Sequence, residues 1–163
     1  MKKILLFLMA IVMSALSMSV FAQSGTLGSS TNPFLISSFA ELKTFRDSIN
    51  SGKAFKYWAN TNYTVNKGGE GQYFKIANRA PSGMGNDGGL VASTTEWVPI
   101  GNSASPFYGK FDGNYKVVGY RVTSSNTAAD VGLFGYISTG AVVKNLTVIP
   151  YIASPSGVSN CGG

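Results

Sequence analysis

The chain has 163 residues, 44% hydrophobic and 12% charged, with 20 glycines, one cysteine and no histidine. That charge fraction is about half the globular average, and without histidine a Ser-His-Asp triad, a histidine metal site and an imidazole base are all excluded. The formal charge is +6, but the basic residues are scattered, which reads as solvated charge rather than a nucleic-acid surface.

Residues 1–22 read as a secretory signal peptide. Lys2-Lys3 form the charged region, Ile4 to Leu16 the apolar region, and Val20-Phe21-Ala22 a small-x-small cleavage site, with cleavage expected after Ala22. Ser14, Ser17 and Ser19 interrupt the apolar run, which falls short of the about 20 residues a membrane span needs. The exported chain is therefore not expected to span a membrane, and with Lys2 and Lys3 removed it carries 11 basic against 7 acidic groups. Residues 23–35 are rich in Ser, Gly and Thr and read as a flexible leader. A single domain is expected over 36–163.

Ser38-Phe39-Ala40-Glu41 forms a capping box, and Phe39, Leu42, Phe45, Arg46 and Ile49 follow at mostly helical spacing. Asn50-Ser51-Gly52 ends the pattern, so the spacing predicts a helix over 38–50. Beyond it, Lys53 to Trp58 reads as a strand with Phe55 and Tyr57 inward and Lys56 and Trp58 outward. Tyr63-Thr64-Val65 and Tyr73 to Ala77 read as further strands, divided by the Gly68-Gly69-Glu70-Gly71 turn. Gly83 to Gly88 fits Gly-x-Gly-x-x-Gly and nearly matches a calcium-binding nonapeptide. It lacks the flanking strand and helix of a dinucleotide site and the tandem copy of a calcium roll, so it reads as a loop. No cofactor or metal is expected.

The chain is organised around Trp97 to Val148. Val117-Val118-Gly119-Tyr120-Arg121-Val122 matches Val143-Lys144-Asn145-Leu146-Thr147-Val148 at an offset of 26 residues. Strand-forming units that recur at a fixed period and are divided by Gly and Asn suggest a β-solenoid. Its interior would take Phe111, Val117, Tyr120, Val122, Leu133, Phe134, Val143, Leu146 and Val148. Gly109, Asp112, Gly113, Asn114, Gly132 and Gly135 would serve turns, with Asn114 and Asn145 near corners. The helix at 38–50 would cover the first coil, which otherwise leaves strand edges and apolar interior open.

Trp97-Val98-Pro99-Ile100-Gly101, the Phe-x-Gly-x-Phe-Asp-Gly-Asn run from Phe107 to Asn114, Gly132-Leu133-Phe134-Gly135 and Lys144-Asn145-Leu146-Thr147-Val148 resemble the opening of bacterial surface proteins with GLUG-motif repeats. Members of that family are secreted, occur in adhesin-like chains and in some immunoglobulin A peptidases, and are predicted to be right-handed parallel β-helices. The resemblance implies a mainly β fold of that kind, begun by one capping helix, and a secreted or surface location in a bacterium.

Catalysis is not expected within these residues. Cleavage of a polysaccharide needs two carboxylates about 5–10 Å apart. Of Glu41, Asp47, Glu70, Asp87, Glu96, Asp112 and Asp130, two belong to the helix and none of the others pair at i, i+2. Asp112 in Asp-Gly-Asn reads as a corner residue. Cys161 reads as an inward residue of a further coil, with an intermolecular disulfide or a reactive thiol as alternatives. The functional expectation is an adhesion, binding or display module; its partner is not read from the sequence, host or matrix glycans or proteins being the candidates and nucleic acid not expected. A carbohydrate-active enzyme with its catalytic coils elsewhere and a passive spacer are the alternatives. The run Gly157 to Gly163 resembles the lead-in to another Gly-Leu-x-Gly unit, so further coils are expected after it.

Overall fold

The computed structural model describes residues 25–78, 90–123, 130–153 and 160–161, and among these the fold is mainly β. The expected export segment, the cleavage expected after Ala22 and the Gly83–Gly88 run lie outside the described residues. In chain order the elements are β1 (Phe34–Ile36), α1 (Phe39–Asn50), β2 (Phe55–Lys56), β3 (Thr64–Val65), a 3-10 turn (Lys67–Gly69), β4 (Tyr73–Ile76), β5 (Leu90–Glu96), β6 (Lys110–Thr123), β7 (Asp130–Val131), β8 (Val142–Ala153) and β9 (Asn160–Cys161). No described helix is long and apolar enough to cross a membrane.

A five-stranded parallel sheet carries the structure. Its order is β1-β4-β6-β5, with β8 also paired to β6. The first residues of β6 pair with β4, its later residues pair with β5, and β8 runs along its other edge. Beyond the sheet the same parallel stacking continues at Ile100 with Phe134, at Phe107 with Ile137, and between β7 and β9. Strands β2 and β3 form a separate antiparallel pair.

Strand alternation turns every second residue of β1 and β4 inward, Phe34 and Ile36 in the first and Phe74 and Ile76 in the second. Phe34 lies opposite Phe74, Phe74 opposite Phe111, and Phe111 opposite Val143, which makes one inward row across four strands. The Phe34 and Phe74 rings stack at 5.5 Å. Helix α1 lays Leu42, Phe45, Arg46 and Ile49 against this interior. The Phe45 ring meets Phe74 at 4.8 Å, Phe107 at 5.9 Å and Phe111 at 6.0 Å. Each such aromatic, removed from water, contributes about 1.5–3 kcal/mol. At the end of α1, Asn50 donates to the Pro99 carbonyl at 2.9 Å and accepts from the Gly101 amide at 2.7 Å. This clamp ties the helix to the segment that follows Trp97. Trp97 is buried, donates its indole N–H to the Leu133 carbonyl at 3.1 Å, and carries the Arg46 guanidinium 4.8 Å over its ring.

The expected helix is present over the expected residues. Ser38 accepts from the Glu41 amide at 3.1 Å, while the Glu41 carboxylate reaches one residue further back than a capping box requires, to the Ser37 amide at 2.6 Å. The free edge of β1 is covered by a side chain. The Tyr57 hydroxyl accepts from the Leu35 amide and donates to the Leu35 carbonyl, both at 3.1 Å. One phenol thus occupies the edge of β1 that faces away from β4, where an unpaired strand would otherwise be left open. Burial of the hydroxyl, chiefly, raises the Tyr57 pKa.

Several sequence expectations need correction. Residues 25–35 are not a flexible leader: Leu27 packs against the core, Phe34 is buried, and the Tyr73 amide donates to the Gly28 carbonyl at 2.9 Å. Trp58 is not outward but packs its ring on Phe45 and Tyr57. The 26-residue register is also wrong. Lys110 lies opposite Val142, 32 residues on, and after a corner Lys116 lies opposite Leu146, 30 residues on. At that corner β6 spends Gly113, Asn114 and Tyr115 where β8 spends only Asn145. Asn114, Tyr115 and Asn145 all take the left-handed conformation, with φ of 54°, 57° and 54°. The corner changes which parity faces inward, so Val118 is buried and Val117, assigned to the interior, is only half-buried and lies opposite Thr147.

The other interior assignments fall as follows. Phe111, Tyr120 and Leu133 are buried, and Phe134, Val143, Leu146 and Val148 are partly buried against the core. Tyr120 lies opposite Pro150 rather than Leu146, and Val148 opposite Val118. Val122 lies in β6 opposite Ile152.

Candidate functional site

The same alternation that turns Phe34, Phe74, Phe111 and Val143 inward turns their neighbours outward. Leu35, Lys75, Asp112 and Lys144 form one outer row, and Tyr73, Lys110 and Val142 form a second. Together with the turn at Ser30, Thr31 and Pro33 they line a groove of about 590 Å³ on the outer face of β1, β4, β6 and β8. The groove crosses three strand spacings, about 14 Å at the usual separation of parallel strands.

Its charges are three lysines against one carboxylate. Lys144 Nζ stands 3.9 Å from Asp112 Oδ2, with the Lys144 side chain 59% exposed and that of Asp112 25% exposed. Lys110 Nζ donates to the Gly140 carbonyl, which holds its ammonium at the rim. Asp112 is positioned by the corner: its Oδ1 accepts from the Asn114 amide at 2.8 Å and from Asn145 Nδ2 at 3.1 Å. The Asn114 side chain donates in turn to the Ile76 carbonyl at 3.0 Å and to Asn78 Oδ1 at 2.7 Å. The corner amides therefore link β4, β6 and β8, and one edge of the groove is fixed by hydrogen bonds. Tyr73, 36% exposed, adds an aromatic edge.

The residues expected to serve turns have definite places. Asp112, Asn114 and Asn145 build the corner just described. Gly113 lies so close to the next strand that a Cβ would meet the Asn145 carbonyl oxygen and the Leu146 side chain at 2.6 Å. A Cβ on Gly109 would meet the Phe74 and Phe107 rings at 2.8 and 2.9 Å. At Gly135 it would meet the Gly101 carbonyl oxygen at 2.7 Å. Gly132 is buried beside Leu133. Gly109, Gly113 and Gly135 permit close approach of successive layers, and none of the four lines the groove.

The groove residues Leu35, Tyr73, Lys75, Lys110, Val142 and Lys144 were not singled out from the sequence. A signal was present: Leu35, Lys75, Asp112 and Lys144 each follow a buried or partly buried apolar residue, Phe34, Phe74, Phe111 or Val143. Seeing it needs the register of strands separated by long and unequal insertions. Among the described residues no group of three or more His, Cys, Asp or Glu side chains could hold a metal ion. Cys161 lies in β9 opposite Val131.

No family model matches the chain, and no solved structure matches it. It is similar to a protein of Evansella cellulosilytica provisionally named a Gly-rich membrane protein, with 30% identity over 131 residues. The matched stretch is 80% of this chain and 12% of that protein, so the chain spans about an eighth of its relative's length.

Proposed function

We propose that this chain forms a right-handed parallel β-helix displayed at a bacterial surface, and that it works there as an adhesion or binding module. Parallel stacking on more than one side supports the solenoid: β6 lies on β8, Ile100 on Phe134, Phe107 on Ile137 and β7 on β9. The resemblance to GLUG-motif surface proteins supports the same architecture, and the word membrane in the relative's name supports a surface setting.

The outer groove is the observation that carries the binding role. A passive spacer has no use for a concave outer face lined by Tyr73, Lys75, Lys110 and Lys144 and braced by the Asp112–Asn114–Asn145 corner. Protein binding sites are concave and use a few well-placed polar groups on a rigid frame. The test displays the full chain on beads and measures retention on surfaces coated with matrix glycans and proteins. Retention should fall for the Lys75→Gln/Lys144→Gln double variant and not for Lys53→Gln, an exposed lysine outside the groove. No retention on any coating, or retention indifferent to the groove variant, refutes a binding role for this face.

A further inference from the structure

We propose that the groove takes a linear polysaccharide bearing carboxylates, with its acid groups on Lys75, Lys110 and Lys144. This names the ligand class for the binding role proposed above and rests on it. Charge sets the sign of the ligand: the groove presents three ammonium groups against the single Asp112 carboxylate. Exposed lysines engage anions as point charges, which suits separate carboxylates on a chain.

Register sets its form. Lys75 and Lys144 lie two strand spacings apart in one row, with Asp112 between them, and Lys110 occupies the neighbouring row between Tyr73 and Val142. Cations recurring across strands spaced about 4.8 Å apart match an anion that recurs along the stacking direction. A small monoacid would meet only one of them.

Chemistry separates a sugar chain from other polyanions. The Asp112 carboxylate, 25% exposed between Lys75 and Lys144 in its row, would repel a dense phosphate backbone but can accept a hydrogen bond from a sugar hydroxyl. Tyr73 and Leu35 supply partly exposed apolar surface for the C–H face of a pyranose ring. An acidic peptide in extended form would seek a free strand edge. The groove floor is instead a sheet face whose backbone is committed to β1, β4, β6 and β8.

The probe is alginate, titrated calorimetrically into the full exported chain, with carboxyl-reduced alginate, dextran, heparin and poly(A) as comparisons. Alginate should bind, and its affinity should fall at least tenfold on carboxyl reduction and at least tenfold in the Lys75→Gln/Lys144→Gln variant. Lys53→Gln should leave affinity unchanged, and thermal melts of all variants should superimpose because the replaced side chains are solvent-facing. Higher salt should weaken binding. Equal affinity for alginate and its reduced form, or a preference for heparin or poly(A), overturns the carboxylate assignment. Dextran binding that is sensitive to the groove variant also overturns the ligand class while sparing the groove as a binding site. Alginate binding indifferent to the groove variant overturns the site, and absence of binding to every polymer overturns the proposal.

Discussion

Replacing Tyr57 by Phe tests how the first strand edge is closed. The substitution keeps the ring against Phe34, 4.8 Å away, and removes only the hydroxyl that bonds the Leu35 amide and carbonyl. Two neutral hydrogen bonds are worth about 1 kcal/mol each when water can replace them, and more when it cannot. The site is partly buried, so a loss of about 1–3 kcal/mol is expected. In urea melts the midpoint should fall at an unchanged slope. The pH dependence adds a second readout. Burial raises the pKa of Tyr57 in the folded chain above its unfolded value near 10. Above that unfolded value the folded state holds a proton that the unfolded state has released, so the contribution of Tyr57 is full below about pH 10 and is lost as pH rises through the folded pKa. The stability difference between wild type and Tyr57→Phe should therefore be constant from neutral pH to about pH 9.5 and shrink above it. Equal stability of the two proteins at pH 7, or a difference independent of pH to the alkaline limit, refutes the edge-capping account.

Three further outcomes follow from the same geometry. Phe45→Ala should cost about 3–5 kcal/mol because its ring contacts the inward aromatics, whereas Thr147→Ala on the outer surface should stay within about 0.5 kcal/mol, both read from urea midpoints. Asn50→Ala removes both bonds of the helix clamp and should cost about 1–3 kcal/mol, with amide exchange at Gly101 accelerated in the variant. Tyr115→Gly should leave stability unchanged or raise it by up to about 1 kcal/mol, read as a shift in melting temperature, since Tyr115 is 81% exposed and held at φ 57°, where a side chain is strained.

The helix was legible because its signals are local. Ser38, Glu41 and the spacing of Leu42, Phe45 and Ile49 lie within a few turns of one another, and the helix, its Ser38 cap and the burial they imply are present, the Glu41 carboxylate alone reaching to Ser37 rather than Ser38. Mainly β character and the Asn114 and Asn145 corners were legible for the same reason. Strand register was not, because it depends on how many residues each strand spends at a corner. The match of Val117–Val122 to Val143–Val148 compared two similar strings, but three residues stand at the first corner and one at the second. Val117 was misplaced by that difference. The role of Phe34 was hidden by its polar neighbours: Ser29 to Asn32 suggest a leader, yet Phe34 and Ile36 pair with Phe74 and Ile76 across a stretch that contains the whole helix. The groove depended on that pairing, so it too was unreadable until Leu35, Lys75, Asp112 and Lys144 were known to share a row.

If the groove binds as proposed, those four residues allow binding to change without the fold changing. Each outer residue follows an inner one, Phe34, Phe74, Phe111 or Val143, and the two sets face opposite sides of one sheet. The inner row is constrained by volume, because a large-to-small change there leaves a cavity and costs several kcal/mol. Solvent-facing positions away from caps and buried networks usually tolerate substitution within about 0.5 kcal/mol. Lys75 and Lys144 are of that kind, whereas Asp112 is not, since it anchors the corner through Asn114 and Asn145. Selection on the ligand can therefore act on the cations one strand at a time while the carboxylate between them stays in place. A groove built this way keeps its acceptor between Lys75 and Lys144 and varies in the number and spacing of its ammonium groups, which under the proposed ligand class would set the acidic chain it takes.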